Sequence, residues 1–308
     1  MMKKLLATAL LCSAAAAFAG EYWHVDRGGS SMKFLSMQTS ARSAAMSGAG
    51  VADAGRVSEV GRNPLAMSAV NEAEFGLNQL IFDEYSADNF ISAYYGLPFA
   101  VANYPLAMSM TVDFLGYDGI EGRDENGLKT DDYGAYAWSL QAGLGSRSKV
   151  FNWAATARFA QQTIDDESAI AILGDAGLSY RVNKYVGFGA TVTNAGYMGD
   201  YDGEDEVAPM AVQAGVSGIL PVSESWNIHL NVDAYRRADT EDQWLFGGEV
   251  NYMDALSLRL GYAIRPDTEN GVSCGLGFSF GMIVFDYGYS PRPAFEGGDH
   301  YLSVGLKF

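Results

Sequence analysis

From about residue 74 to the end of the chain, apolar and polar side chains alternate with a period of two, and the two faces differ in kind. In WNIHLNVDAY one face is Trp226, Ile228, Leu230, Val232 and Ala234, and the other is Asn227, His229, Asn231, Asp233 and Tyr235. LSLRLGYAIR sets Leu256, Leu258, Leu260, Tyr262 and Ile264 against Ser257, Arg259, Gly261, Ala263 and Arg265. About fourteen such segments of roughly 8 to 12 residues follow one another, the length at which a tilted strand crosses a hydrocarbon layer. The weakest is the sixth, because Asp175 interrupts its apolar face.

The connections agree with this count. Those after even-numbered segments are short (SRSK, RVNKY, PVSES, MDA), and those after odd-numbered ones are longer and acidic (GYDGIEGRDENGLKTDDY, GYMGDYDGEDEVAP, RRADTEDQ). Roughly 24 of the 37 acidic residues fall in the odd set. Short turns on the inner side and long loops on the outer side characterise outer-membrane barrels. GLPFAVANYP, after the second segment, is longer than an inner turn should be. A soluble sandwich also alternates. Against it, Trp138, Trp153, Phe159, Trp226, Phe278, Phe285 and Tyr287 all lie on the apolar face, as aromatic girdles at a membrane interface do.

The expected fold is therefore all-β, a transmembrane antiparallel barrel of about fourteen strands over residues 74–308. A barrel has no free edge, so the last strand, HYLSVGLKF, must pair with the first. Its Tyr301, Leu306 and terminal Phe308 look like the signal read by the outer-membrane insertion machinery.

At the other end, MMKK, an apolar stretch and an A-x-A site at Ala17, Phe18 and Ala19 read as a signal peptide over 1–19. Only Cys274 then remains, so no intramolecular disulfide forms. No later run of about 18 apolar residues provides a membrane-spanning helix. The net charge of −17 argues against a nucleic-acid partner. These readings place the protein in the bacterial outer membrane after export, in contact with lipid and lipopolysaccharide.

Residues 20–73 do not alternate. A segment of this length preceding a wide barrel has the lumen as its natural space, where it could plug the pore. Within it, SARSAAMSGAGVADAGRVSEVGRNPLAMS resembles the N-terminal motif of the PorV and PorQ group, in which A-R-x-A-x-x-G-G-A is followed by N-P-A-G-L. Ala41, Arg42, Ala44, Gly48, Ala49, Asn63 and Pro64 match. Ser47, Leu65, Ala66 and Met67 depart from the pattern. The resemblance implies a fourteen-stranded barrel similar to the long-chain fatty acid transporter, FadL, with an N-terminal hatch. It also implies a part in type IX secretion, engaging secreted cargo or secretion-system proteins at the outer face.

Chemistry is sparse. His229 shares the polar face with Asn227, Asn231 and Asp233, as a member of a luminal hydrogen-bond network would. His24 and His300 fall in interface or loop positions. Asp200, Asp202, Asp205 and Glu206 surround Gly203 but lack the full calcium-loop spacing, so a solvated acidic tip is the plainer reading. Asp113, Arg158, Asp233 and Arg259 face inward as candidates for luminal ion pairs, and Arg42 is the candidate anchor of the plug to a wall carboxylate. No catalytic, metal or cofactor site is expected. The leading functional expectation is a non-enzymatic PorV/PorQ-like secretion component. The alternatives are a FadL-like transporter of hydrophobic compounds and a sealed structural barrel. Inward faces rich in Ser, Thr, Gly, Asn and charge weigh against a greasy conduit.

Overall fold

The computed structural model describes residues 26–53, 55–82, 89–123, 127–200, 206–266, 270–292 and 297–308. The expected signal peptide, His24, Asp202 and Asp205 lie outside the described residues. Fourteen strands follow in chain order: β1 Glu74–Ile81, β2 Asn89–Val101, β3 Tyr104–Ile120, β4 Tyr133–Ser146, β5 Phe151–Ile164, β6 Glu167–Arg181, β7 Val186–Met198, β8 Ala211–Pro221, β9 Trp226–Arg237, β10 Gln243–Tyr252, β11 Leu256–Ile264, β12 Gly271–Phe280, β13 Ile283–Pro291 and β14 Gly298–Lys307. Each pairs antiparallel with its chain neighbours, and β1 closes the cylinder on β14 from Glu74↔Lys307 to Ile81↔His300.

The two faces have opposite environments. Leu258 and Leu260 are exposed on the outside, while Asp113 and Arg259, at 0% and 2% accessible, point inward. A soluble fold would invert this arrangement, so lipid is what covers the outer face. Tyr94 of β2 bridges the closing seam. A methyl group placed on Gly76 of β1 would sit 2.4 Å from its ring, and one on Gly305 of β14 would sit 2.6 Å from its hydroxyl. Tyr94 Oη donates to Glu74 Oε1 at 3.0 Å. Small residues on the first and last strands thus let one aromatic cover the junction.

Four expectations change. β2 and β3 run on to a two-residue turn at Ala102 and Asn103, both left-handed (φ 48° and 66°), so GLPFAVANYP is mostly strand. QQTIDDESA, the connection after the fifth segment and so one of the odd set expected to be long, likewise contracts to a turn at Asp165 and Asp166 between β5 and β6. Asp175 does not interrupt a lipid face. β6 turns Ile170, Ile172 and Ala176 outward and Asp175 inward. His300 lies within β14 on the outer face, its Nδ1 2.8 Å from Tyr287 Oη.

Residues 26–73 run through the lumen from the outer end to the inner. Gly28 N donates to Asp239 O and Ser31 N to Val207 O, both in outer connections, whereas Arg147 of an inner turn donates to Asn71 Oδ1. Between these points lie a 3-10 turn at Lys33–Ser36, the short helix α1 at Ala41–Ala45, and 3-10 turns at Val57–Glu59 and Pro64–Ala69. Asn63 caps the last of these, accepting from Leu65 N at 3.0 Å, with Pro64 at its first position. Two apolar layers result. The outer one packs Met32, Phe34 and Leu35 against wall residues Leu80, Phe90, Leu115, Leu173, Met198 and Tyr301. The inner one packs Val57, Val60, Leu65, Met67 and Val70 against Tyr94, Ala107 and Ala154. Burial of Phe34 and Leu35 stabilises the docked segment by about 1.5–3 kcal/mol each.

Candidate functional site

Between the apolar layers lies a sheet of buried charge, with α1 at its centre. Arg42, 2% accessible, divides its guanidinium among three carboxylates. Nε donates to Glu249 of β10 at 2.8 Å, Nη1 to Glu59 at 3.0 Å and Nη2 to Asp53 at 2.7 Å. Two of these acceptors belong to the luminal segment and one to the wall, so a single side chain both folds the segment and fastens it. Arg259 of β11 shares Glu249 and donates through Nη1 to Asp286 of β13 at 2.7 Å. Arg56 closes this side, donating to Ser279 at 2.9 Å.

On the opposite wall Asp113 of β3 accepts from Arg62 of the segment at 2.9 Å and from Arg158 of β5 at 3.3 Å. Arg62 also donates to Met37 O and Phe34 O, and Arg158 to Gly61 O. Asp233 Oδ2 receives Gly50 N at 2.7 Å, Val51 N at 2.9 Å and the Gln213 amide at 2.7 Å. Asp175 receives the side chains of Gln141 and Thr156 and the backbone N–H of Asn194. Thus Asp113, Glu249 and Asp286 are paired with guanidinium groups, and Asp175 and Asp233 each accept from several donors, as buried charge requires.

The sequence-derived residues fall into two groups. Arg42 and Arg259 meet through Glu249, Arg158 joins Asp113, and His229 Nδ1 lies 3.1 Å from Asp53. Asp233 binds the segment's backbone and the Gln213 amide, and no cation among the described residues. Ala41 N donates to Ser303 at 2.9 Å, and Gly48 (φ 86°) offers its carbonyl to Gln213. Tyr301 is buried in the lumen, whereas Leu306 and Phe308 face outward. The sequence reading missed Asp53, Glu59, Arg62, Glu249 and Asp286. Glu249 and Asp286 carried a usable signal, since each is an ionisable residue in mid-strand on the glycine-rich face. A polar cavity of about 30 Å³ remains beside Gln38, Ser43, Gly50 and Arg62, room for a water molecule or two. Among the described residues no three or more His, Cys, Asp or Glu side chains are arranged to hold a metal ion, the acids around Arg42 being taken up by its guanidinium.

The segment's own acids respond differently to this setting. Burial would raise Asp53, but Arg42 and then His229 outweigh it and hold the carboxyl well below the usual range. For Glu59 burial wins over Arg42, and the carboxyl is pushed up. A depressed value contributes stability above the unfolded pKa of about 3.9 that is lost as pH falls through the folded value; a raised one contributes below about 4.3 and is lost as pH rises. Acidification from pH 7 to 5 is therefore expected to leave protease protection of residues 26–73 intact, with loss only below about pH 4. By the same logic Glu59→Gln should cost at most about 1 kcal/mol and Asp53→Asn about 3 kcal/mol, measured by hydrogen exchange of the segment.

Comparison with known proteins gives a structural likeness, and no family model and no curated protein matches. The toluene transporter TbuX of Ralstonia pickettii superposes with a TM-score of 0.61 at 12% identity, over 87% of this chain and 98% of that one. The toluene transporter TodX of Pseudomonas putida gives 0.58 at 13% identity, covering 87% and 98%. A Pseudomonas aeruginosa FadL homologue gives 0.52 at 11%, covering 88% and 98%. The fold is that of the FadL-like outer-membrane barrels. At these identities the likeness is one of architecture, and nothing in it favours PorV or PorQ over other barrels of this kind.

Proposed function

We propose that this FadL-like barrel is a non-enzymatic transporter of small hydrophobic compounds, integral to the outer membrane after export, with residues 20–73 as its gate. One observation carries the reading: the outer end of the lumen is apolar. Read strand by strand, the sequence gives inward faces that are mainly polar. Above the ionic layer, however, the wall presents Leu80, Phe90, Leu115, Leu173 and Met198, and the segment fills that space with Met32, Phe34 and Leu35. Side chains that leave an apolar chamber can be replaced there by an apolar guest of similar volume. TbuX and TodX, both named as toluene transporters, lend support through their architecture. Uptake of radiolabelled toluene into proteoliposomes should exceed that of protein-free vesicles several-fold. Equal rates would remove the reading.

A second reading rests on the motif around Arg42 and Asn63. A segment pinned by so many ion pairs suits a barrel that stays shut, serving, as a PorV/PorQ-like component would, secretion-system proteins or secreted cargo at its outer face. Affinity purification from outer membranes in mild detergent, with identification of what accompanies the barrel, tests it. Recovery of no partner and unchanged cargo export in a deletion strain would count against it.

A further inference from the structure

Charge is distributed unequally between the two rims. At the outer end Arg27, Arg123, Lys129, Arg236, Arg237 and Arg292 each have a carboxylate partner, while Lys33 donates to Gly28 O and Arg265 has no carboxylate partner among the described residues. In the lumen Arg42, Arg56, Arg62, Arg158 and Arg259 are paired with carboxylates too. At the inner end Lys307 faces Glu74 across the β1–β14 seam, and four other cations differ. Arg147, Lys149, Arg181 and Lys184 have no carboxylate partner among the described residues. Arg147 donates to the Asn71 amide oxygen, and Lys184 lies 4.8 Å from the centre of the Tyr185 ring. These four occupy one arc, because the β4–β5 and β6–β7 turns are adjacent: Arg181 N donates to Val150 O at 2.7 Å, and Phe151 pairs with Tyr180. The other described carboxylates of this rim, Glu224 and Asp254, belong to the β8–β9 and β10–β11 turns. Glu72 is exposed next to Asn71 and forms no ion pair among the described residues.

We infer that this arc binds the phosphate headgroup of an anionic phospholipid in the inner leaflet of the membrane. Apolar side chains interleaved with the cations favour a lipid over a soluble acidic partner. Val150, Phe151, Val182 and Tyr185 are 47%, 41%, 52% and 39% accessible, and they continue directly into the lipid-facing surface through Phe188. An aromatic and aliphatic flank marks the level of the interface, and ammonium groups one residue beyond it sit at the height of the phosphates. Anions near such a surface are attracted by each unneutralised cation, and the effect fades within a Debye length, about 8 Å at physiological salt. Lys149 and Lys184 supply the exposed charge, and Arg147 and Arg181 reinforce it from the mouth of the barrel. The inference rests on the barrel lying in a membrane and is independent of what it transports.

The test uses the folded barrel in nanodiscs of phosphatidylcholine with a minority of phosphatidylglycerol, with folding checked by heat-modifiable gel migration. Native mass spectrometry of protein released from the discs reads the retained lipid. Wild type should retain phosphatidylglycerol at least about tenfold above its bulk ratio, with the enrichment falling in high salt. Lys149→Gln/Lys184→Gln should bring retention close to the bulk ratio, and adding Arg147→Gln and Arg181→Gln should abolish it. Arg123→Gln/Lys129→Gln at the outer rim should change nothing. Enrichment unaffected by the inner-rim changes, or equal in wild type and bulk, would overturn the inference. So would an acidic soluble protein that copurifies through these residues while lipid retention stays at the bulk ratio.

Discussion

Replacing Arg42 with methionine should release the luminal segment while leaving the barrel closed. Methionine keeps the length and apolar stem of the side chain and removes only the guanidinium. Three carboxylates, Asp53, Glu59 and Glu249, then face one another without the cation that all three share. Removing one partner of a buried ion pair costs about 3–5 kcal/mol, because the remaining charge stays desolvated. With three acceptors the loss lies at the upper end of that range, although Arg259 still supports Glu249 and His229 lies beside Asp53. The wall has no comparable dependence, since every strand keeps both neighbours.

Three measurements separate these outcomes. Heat-modifiable migration should be retained, and residues 26–73 should become sensitive to added protease. Planar-bilayer recordings should show conductance steps that the wild type lacks. Arg42→Lys should rescue only in part, because one ammonium cannot direct planar donors at three acceptors lying in different directions. Unchanged protection and a silent bilayer in Arg42→Met would show that the apolar layers alone hold the segment.

The barrel was legible in the sequence because lipid imposes alternation on every strand that crosses the hydrocarbon, broken within the layer only locally, as at the bulge of β7 opposite Asp175. Where strands leave that layer the constraint ends, and so did the reading. β2 and β3 extend past Pro98 and Pro105 to a turn made of Ala102 and Asn103, which lacks the usual Asn-Gly signal. Asp175 was placed on the wrong face because its neighbours alternate Ala with Ile, and alanine suits either side. Arg42 stood out through its motif, but its partners did not. Asp53 and Glu59 lie in a segment with no period to assign their direction, and Glu249 is joined to Arg42 only by the way the chain threads the lumen. The apolar outer chamber escaped for a related reason. Its large wall residues lie one per strand on β1, β2, β3, β6, β7 and β14, with only alanines beside them on β4, β5 and β6, so no single strand looks greasy on its inner face.

The wall offers a second way to expel the segment, one that alters no charge. Gly261 of β11 and Gly189 of β7 let the segment's backbone approach the wall. A methyl group on Gly261 would lie 2.4 Å from the Met46 carbonyl carbon and 2.5 Å from Ser47 N, and one on Gly189 would lie 2.8 Å from Ala52 Cα and Val51 O. Backbone atoms cannot swing aside as a flexible side chain can, so the segment must shift as a unit. Overpacking of this kind costs about 1–3 kcal/mol per site. Within the strands themselves the change has the opposite sign, because replacing a mid-strand glycine with a β-branched residue favours extended backbone. Gly189→Val/Gly261→Val should therefore keep or raise the barrel's unfolding temperature while exposing residues 26–73 to protease and opening conductance. Gly248 of β10 is the control, since a methyl group there meets only Leu230 Cδ2, at 3.8 Å. Gly248→Val should leave the segment protected. If the double variant stays closed and protected as well, the segment is held loosely enough to yield, and the lumen is less tightly fitted than its distances indicate.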